Sequence, residues 1–243
     1  MSYTNKTLCK VRTITTFLSL SPARETWKAQ ILEASKFCAE LSAEFIQQGY
    51  SVQSVRIVTN PFGEYLNTHS VDKAASDLRY LSALLSSSDL SGIRIRFAIG
   101  EARTAQEIEI LPELVREFGD LCNVCVNVDI DENGILNNQL IQLSAQAVKK
   151  ISTITPRGEG NFNFTVNFNC DPLIPYFPAS YHRTESGKRF VIGLETPDLL
   201  VYVLKQLNQS IGATDHNTRF NAYQNTMSAA LQHHISQIKG IID

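Results

Sequence analysis

An α/β fold with a mostly parallel sheet is what this sequence predicts, and three observations predict it. Short runs rich in β-branched residues alternate with longer stretches whose apolar residues recur every three or four positions. The connections between most of the runs are long enough to hold a helix, which parallel neighbours require. The composition of the 243 residues, 43% hydrophobic and 19% charged, is that of a chain able to bury a core.

The elements follow in order. "KVRTITTFLSL" (10–20) predicts the first strand. Ser21 is placed as an N-cap with Pro22 at the first helical position. The helix then runs to about Gln48, with Trp27, Ile31, Ala34, Cys38, Leu41 and Phe45 on its inward stripe and Gly49 as its stop. "SVQSVRIVTN" (51–60) predicts the second strand. A helix over 70–86 follows, turning Val71, Ala74, Ala75, Leu78, Leu81 and Leu85 inward, and "SSSDLSG" breaks it. "IRIRFAIG" (93–100) is the third strand, Thr104 caps a helix to about Phe118, and "LCNVCVNVDI" (121–130) is the fourth strand. A helix is expected over 137–151, strands over 162–170 and 189–196, and helices over 197–210 and 218–241.

The connection between the last two strands departs from the pattern. It carries Pro172, Pro175 and Pro178 and no helical period, so these two strands are expected to be antiparallel neighbours. No repeat, low-complexity tract or linker divides the chain, and a single domain over 1–243 is expected.

Charge and composition exclude some functions. With 22 basic and 24 acidic residues the net charge is −2, so no basic surplus points to nucleic acid. No apolar run approaches the roughly 20 residues that span a bilayer, and the apolar residues near the N-terminus alternate with Thr and Ser as in a strand. A cytoplasmic protein is expected. The five cysteines are odd in number and scattered, as for reduced thiols. Cys122 and Cys125 in "CNVC" fall three apart on a strand, which sends them to opposite faces and makes them buried small side chains rather than a redox or metal pair.

"FPASYH" followed by "FVIGLE", after "VRTITTFLSL" and "VRIVTNPF", resembles an uncharacterised bacterial and archaeal family often called "PFL family" proteins or a domain of unknown function. Phe177, Pro178, Ala179, Tyr181 and His182 fit its first block, with Ser180 replacing an alanine, and Gly193, Leu194 and Glu195 fit the second. That family is similar in fold to glycyl-radical enzymes such as pyruvate formate-lyase. The resemblance implies a barrel of about ten strands built from two half-barrels. Six strands are expected here, so the barrel or half-barrel is completed by a second chain or a second copy, or a smaller fold closes by itself. An open half-barrel leaves a bare sheet edge and an apolar face in water, and the resemblance therefore implies a homo-oligomer or a partner chain. Glycyl-radical chemistry is not implied, because no Arg-Val-x-Gly-aromatic loop is present.

Ligands of parallel α/β folds gather where strands end and helices begin. The strand ends here supply Thr16, Ser19, Ser21, Thr59, Asn60, Phe62, Gly100, Glu101, Asn127, Asp129, Asp131, Asn169, Cys170, Asp171 and Glu195. His182 is the foremost candidate, as an acid–base group on a proline-stiffened loop, beside Tyr181 as a hydrogen-bonding orienter. Tyr181 and His182 serve equally well as sheet-capping residues bonded to backbone. Glu195 is either a site carboxylate or an acceptor for the helix that follows. Asn60, Asn127 and Asp171 are candidate substrate-binding residues. No metal site is expected, the cofactor is open, and His233 and His234 read as part of a solvated helix face. The resulting expectation is an enzyme of unspecified reaction on a small molecule; the alternative is a non-catalytic ligand-sensing or barrel-completing subunit.

Overall fold

A computed structural model of the chain describes residues 2–86, 95–183, 187–210 and 215–243. Six strands, β1 (Lys10–Leu18), β2 (Val55–Thr59), β3 (Ile95–Glu101), β4 (Asn123–Val128), β5 (Phe164–Phe168) and β6 (Arg189–Glu195), alternate with helices α1 (Trp27–Gln47), α2 (Val71–Leu85), α3 (Ala105–Phe118), α4 (Asn138–Ile154), α5 (Pro197–Ser210) and α6 (His216–Ile242). They form one mostly parallel sheet in the order β5-β4-β3-β2-β1-β6. β1 to β5 pair in parallel, each with the next. The expected strand–helix alternation is thus present. Most of "SSSDLSG" lies outside the described residues.

Two expectations fail locally. Ser21 does not cap α1; a 3-10 turn over Arg24–Thr26 comes first, and Ser21 instead accepts the Ala23 amide and, through its carbonyl, the Trp27 indole N–H at 2.7 Å. The tryptophan thereby fixes where the helix begins. Nor do β5 and β6 pair, since they occupy opposite edges of the sheet. Phe190 at the start of β6 faces Phe37 and shares a hollow with Thr16–Ser19 at the end of β1. Glu195 at the end of β6 meets Lys10 and Arg12 at the start of β1. β6 is therefore antiparallel to β1, and the proline-rich connection is a long crossing from one edge to the other rather than a hairpin.

The chain clusters into two compact units, residues 14–38 with 54–191 and residues 1–13 with 39–53 and 192–243. In the larger unit, strand alternation gives the sheet two unlike faces. Leu18, Ile57, Phe97, Val124, Val126 and Phe164 pack under α1 to α4 with Trp27, Ile31, Leu78, Leu111 and Ile151. On the other face Phe17, Val58 and Ala98 are covered by Leu173, Phe177 and Val191. The proline segment is the cover: its Phe177–Pro178 peptide is cis, the Leu173 amide donates to the Tyr181 carbonyl at 3.0 Å, and the Arg56 guanidinium lies over the Phe177 ring at 5.0 Å. Beyond that cover β4 and β5 turn Asn123, Cys125, Asn127, Thr165 and Asn167 to the same face, a polar surface unlike the apolar one beneath the helices.

In the smaller unit Leu199, Val203 and Ala230 of α5 and α6 pack with Leu8, Leu207 and Met227. α1 ends in a reverse-turn cap, with Gly49 at φ 87° and the Tyr50 amide on the Phe45 carbonyl at 2.9 Å, the left-handed close that glycine supplies most easily. His234, expected on a solvated face, is instead fully buried. Its Nδ1 lies 3.1 Å from the Tyr50 hydroxyl and its Nε2 2.9 Å from the Tyr3 carbonyl. Accepting from the phenol at one nitrogen and donating to the carbonyl from the other is what a neutral imidazole does. Burial lowers its pKa, and the nearby charges of His233 and Lys6 lower it further against the Tyr3 bond. A base with a depressed folded pKa contributes stability fully above its unfolded value and loses it as pH falls through that value toward the folded one. The melting temperature should therefore drop between pH 7 and pH 5 by a few degrees more in the wild type than in His234→Gln, about 2–4 °C for each kcal/mol in a chain this size; parallel curves for the two proteins would refute the assignment.

Candidate functional site at the carboxyl ends of the parallel strands

The larger unit gathers polar side chains where β1 to β5 end. β1 leads into Ser19, half-buried, whose Oγ lies 3.1 Å from His182 Nε2. The His182 ring is fully buried and packs at 41° against Phe17, ring centres 5.8 Å apart. Gln30 of α1 donates to the Ser19 carbonyl at 2.9 Å and holds that stretch of chain.

At the end of β2, Asn60 clamps the chain after β1 from both sides. Its Oδ1 accepts the Leu20 amide at 2.8 Å, its Nδ2 donates to the Leu20 carbonyl at 3.2 Å, and the same nitrogen reaches Glu64 at 2.9 Å. Asn60, expected to bind substrate, thus has its amide committed to positioning the Ser19–Leu20 backbone.

At the end of β3 the register with β4 shifts between Ala98 and Gly100. Such a bulge re-aims the side chain that follows it, here Glu101, which is buried. Gly100 has φ 83°, and a Cβ there would lie 2.4 Å from the Asn60 carbonyl oxygen. The loop beyond is fixed by a complete capping box: Glu107 accepts the Arg103 and Thr104 amides while Thr104 accepts the Glu107 amide. Arg103 is held 3.7 Å from Glu101 and 3.1 Å from Glu64.

At the ends of β4 and β5, Asn167 donates to Asn127 at 2.7 Å and to the Ala179 carbonyl at 2.9 Å, tying the proline segment down. Asn127 Nδ2 in turn lies 3.9 Å from the Cys125 sulfur. Tyr181 is buried and donates to the Cys170 carbonyl at 2.7 Å, the backbone bond foreseen as one of its two roles. Burial pushes its phenol up to about 12. Arg183 reaches Asp129 at 3.3 Å. Asp171 is exposed in the segment after β5.

Successive residues of the tripeptide Tyr181-His182-Arg183 therefore contact the chain beyond three strand ends: Cys170 after β5, Ser19 after β1 and Asp129 after β4. This brings His182, Ser19, Tyr181, Asn127 and Glu101 into one region. Glu195, expected to join them, has other company. In the smaller unit Gln53 donates to it at 3.0 Å, and Lys10 and Arg12 stand 3.6 and 3.8 Å away, at the amino end of β1. The reason is strand direction: β6 runs against β1, so its carboxyl end lies beside the amino end of β1. Glu101 and Ser19 were visible in the sequence as strand-end residues but carried no mark above their neighbours; the glycine directly before Glu101 was the available signal. Cys122 and Cys125 are both fully buried, and burial raises both thiols far above their ordinary range. Among the described residues no three His, Cys, Asp or Glu side chains cluster as metal ligands would, and no helix is long and apolar enough to cross a membrane.

Compared with known protein families, the chain matches the family described as Uncharacterised ACR (DUF711) over residues 3–242. It belongs to the DUF711 family. The match takes in every strand and helix of the sheet and both compact units, so the carboxyl-end cluster of this DUF711 chain lies wholly inside the family region. No curated protein matches the chain.

The electrostatics of the DUF711 cluster centre on Glu101. Burial raises its carboxyl pKa, opposed by the neighbouring Asn127 amide and by the charges of Arg103 and Arg183. An acid whose folded pKa is raised contributes stability that is full below its unfolded value and lost as pH rises through the folded value. Glu101→Gln removes that loss. The variant should melt a few degrees above the wild type at pH 8, with the gain shrinking toward pH 4, the size set by about 2–4 °C per kcal/mol. A variant that melts lower at pH 8 would show that the ionised carboxylate is what the fold requires.

Proposed function

We propose that this chain is an enzyme that moves protons on a small polar molecule at the carboxyl ends of its parallel strands, with His182 as the base. The observation that carries this is the 3.1 Å contact between His182 Nε2 and Ser19 Oγ. The imidazole itself is out of solvent, so Ser19 is the group the substrate meets: it passes its own proton to Nε2 as it accepts one from the substrate. Glu101, buried at the end of β3 with Arg103 3.7 Å away, is the second group in the cluster that can exchange a proton with the substrate. Arg103 and Arg183 favour a substrate that carries an anionic group. Asn60 and Tyr181 are positioning residues, and the five buried or half-buried free thiols fit a cytoplasmic setting. The test is solvent exchange. Full-length protein in D2O, given pools of small hydroxy, keto and carboxylic acids, should wash protons out of one or more compounds as read by proton NMR. Exchange that survives unchanged in Ser19→Ala would remove the relay.

A second reading concerns assembly. We also propose that the sheet is one half of a pyruvate formate-lyase-like barrel completed by a second copy. β5 is an edge strand whose Phe168 is 51% exposed, and Phe162 just before it is 81% exposed. Light scattering behind a sizing column should give a dimer that Phe168→Lys converts to monomer; a wild-type monomer at micromolar concentration would end this reading.

A further inference from the structure

A hollow of about 290 Å³ opens in the larger unit between α1, the end of β1 and the start of β6. Its lining includes Thr16, Leu18, Ala34, Phe37 and Phe190, with the two phenyl rings 5.1 Å apart, and the polar Gln30 and Arg189 beside them. Ser19 is also part of its lining. The residue that bonds His182 therefore also borders an apolar chamber. At the rim, Lys188 and Glu33 form an ion pair at 2.5 Å. A cavity of this size, largely apolar with a few placed polar groups, is the usual form of a small-ligand site.

We infer that this hollow holds the hydrocarbon part of the ligand, a small aromatic or branched aliphatic group, while a hydroxyl or carbonyl on the same molecule reaches Ser19. This rests on the acid–base assignment of Ser19 and His182, and it narrows the substrate from any small polar molecule to an amphipathic one. Two neighbouring environments, one greasy and one hydrogen-bonding, select for a molecule with both ends at the right separation, because a site built to pair a hydroxyl discriminates against the analogue that lacks it.

Two fluorinated probes test this on the full chain by fluorine NMR: 4-fluorobenzyl alcohol, with both ends, and 4-fluorotoluene, with the ring alone. Both should bind saturably, the alcohol about tenfold more tightly, the worth of a typical hydrogen bond. Ala34→Leu, which fills the hollow, should abolish both signals while the melting curve stays cooperative. Phe190→Ala, which opens the hollow, should weaken both and serves if Ala34→Leu does not fold. Ser19→Ala should bring the alcohol down to the affinity of the toluene and leave the toluene unchanged. Failure of both probes to bind the wild type, or binding that persists in Ala34→Leu, would overturn the hollow as a ligand site without touching the exchange assay of the acid–base pair. Equal affinity for the two probes, unaltered in Ser19→Ala, would overturn its connection to Ser19. Exchange lost in Ser19→Ala with ring binding intact supports both assignments.

Discussion

Gly100→Ala is expected to cost the protein about 3 kcal/mol or more, a large share of the roughly 5–15 kcal/mol that holds a domain together. Two penalties coincide. At φ 83° the backbone sits where a Cβ is disfavoured, and that Cβ would lie 2.4 Å from the Asn60 carbonyl oxygen and 2.5 Å from that of Thr59. Backbone strain of this kind costs about 1–3 kcal/mol and forced overpacking about 1–3 more. The obstacle is main chain in the middle of a sheet, which a side-chain rotation cannot move. Gly134 provides the control, since it has φ 76° but nothing within 4 Å of an added Cβ. Gly134→Ala carries the conformational penalty alone, and the difference between the two variants in urea unfolding isolates the collision. Equal losses would mean that β2 and β3 separate there at little cost.

His182→Gln is expected to lower the rate of proton exchange by about 10²–10⁴-fold, the usual worth of a general base. Glutamine keeps much of the bulk against Phe17 and still reaches Ser19 with a hydrogen bond, but it takes up no proton near neutral pH. A purely structural histidine predicts otherwise: rate and melting temperature would fall together, and the pH profile of the remaining activity would keep its shape. Loss of the rate with a nearly unchanged melting curve, together with loss of the limb of the profile that falls toward acid pH, assigns the role to the imidazole. Retained exchange in His182→Gln would place the base elsewhere in the cluster, with Glu101 next to be replaced.

The sequence made the alternation of elements plain because each has its own period. Of the α1 stripe, Trp27, Ile31, Ala34, Cys38 and Phe45 are buried as their spacing requires and Leu41 is half-buried, and the Thr104 capping box marks the start of α3. The neighbours of β6 were not legible. A proline-rich connection without helical period fits a short antiparallel return as well as a long crossing, and only the pairing of residues far apart in sequence separates them. That one choice decides where Glu195 lands. His234 was missed for a related reason: its partners, Tyr3 and Tyr50, are near the start of the chain and leave no trace beside it. Of the site, the strand-end positions could be read off. The selection of Glu101 among them depended on a bulge in the pairing of β3 with β4, and that of Ser19 on a contact spanning 163 residues.

The crossing of the proline segment also orders events in time. The outer edge of β1 is closed by β6, which leaves the ribosome some 170 residues later. Until then a growing chain holds a strand with an open ladder of amides and carbonyls, the kind of edge that recruits other chains. Contacts this distant in sequence form slowly. During synthesis the protein should therefore lean on a holding chaperone until the residues of β6 have emerged, and nascent chains halted with β6 still inside the ribosome should aggregate where those halted with β6 clear of it do not.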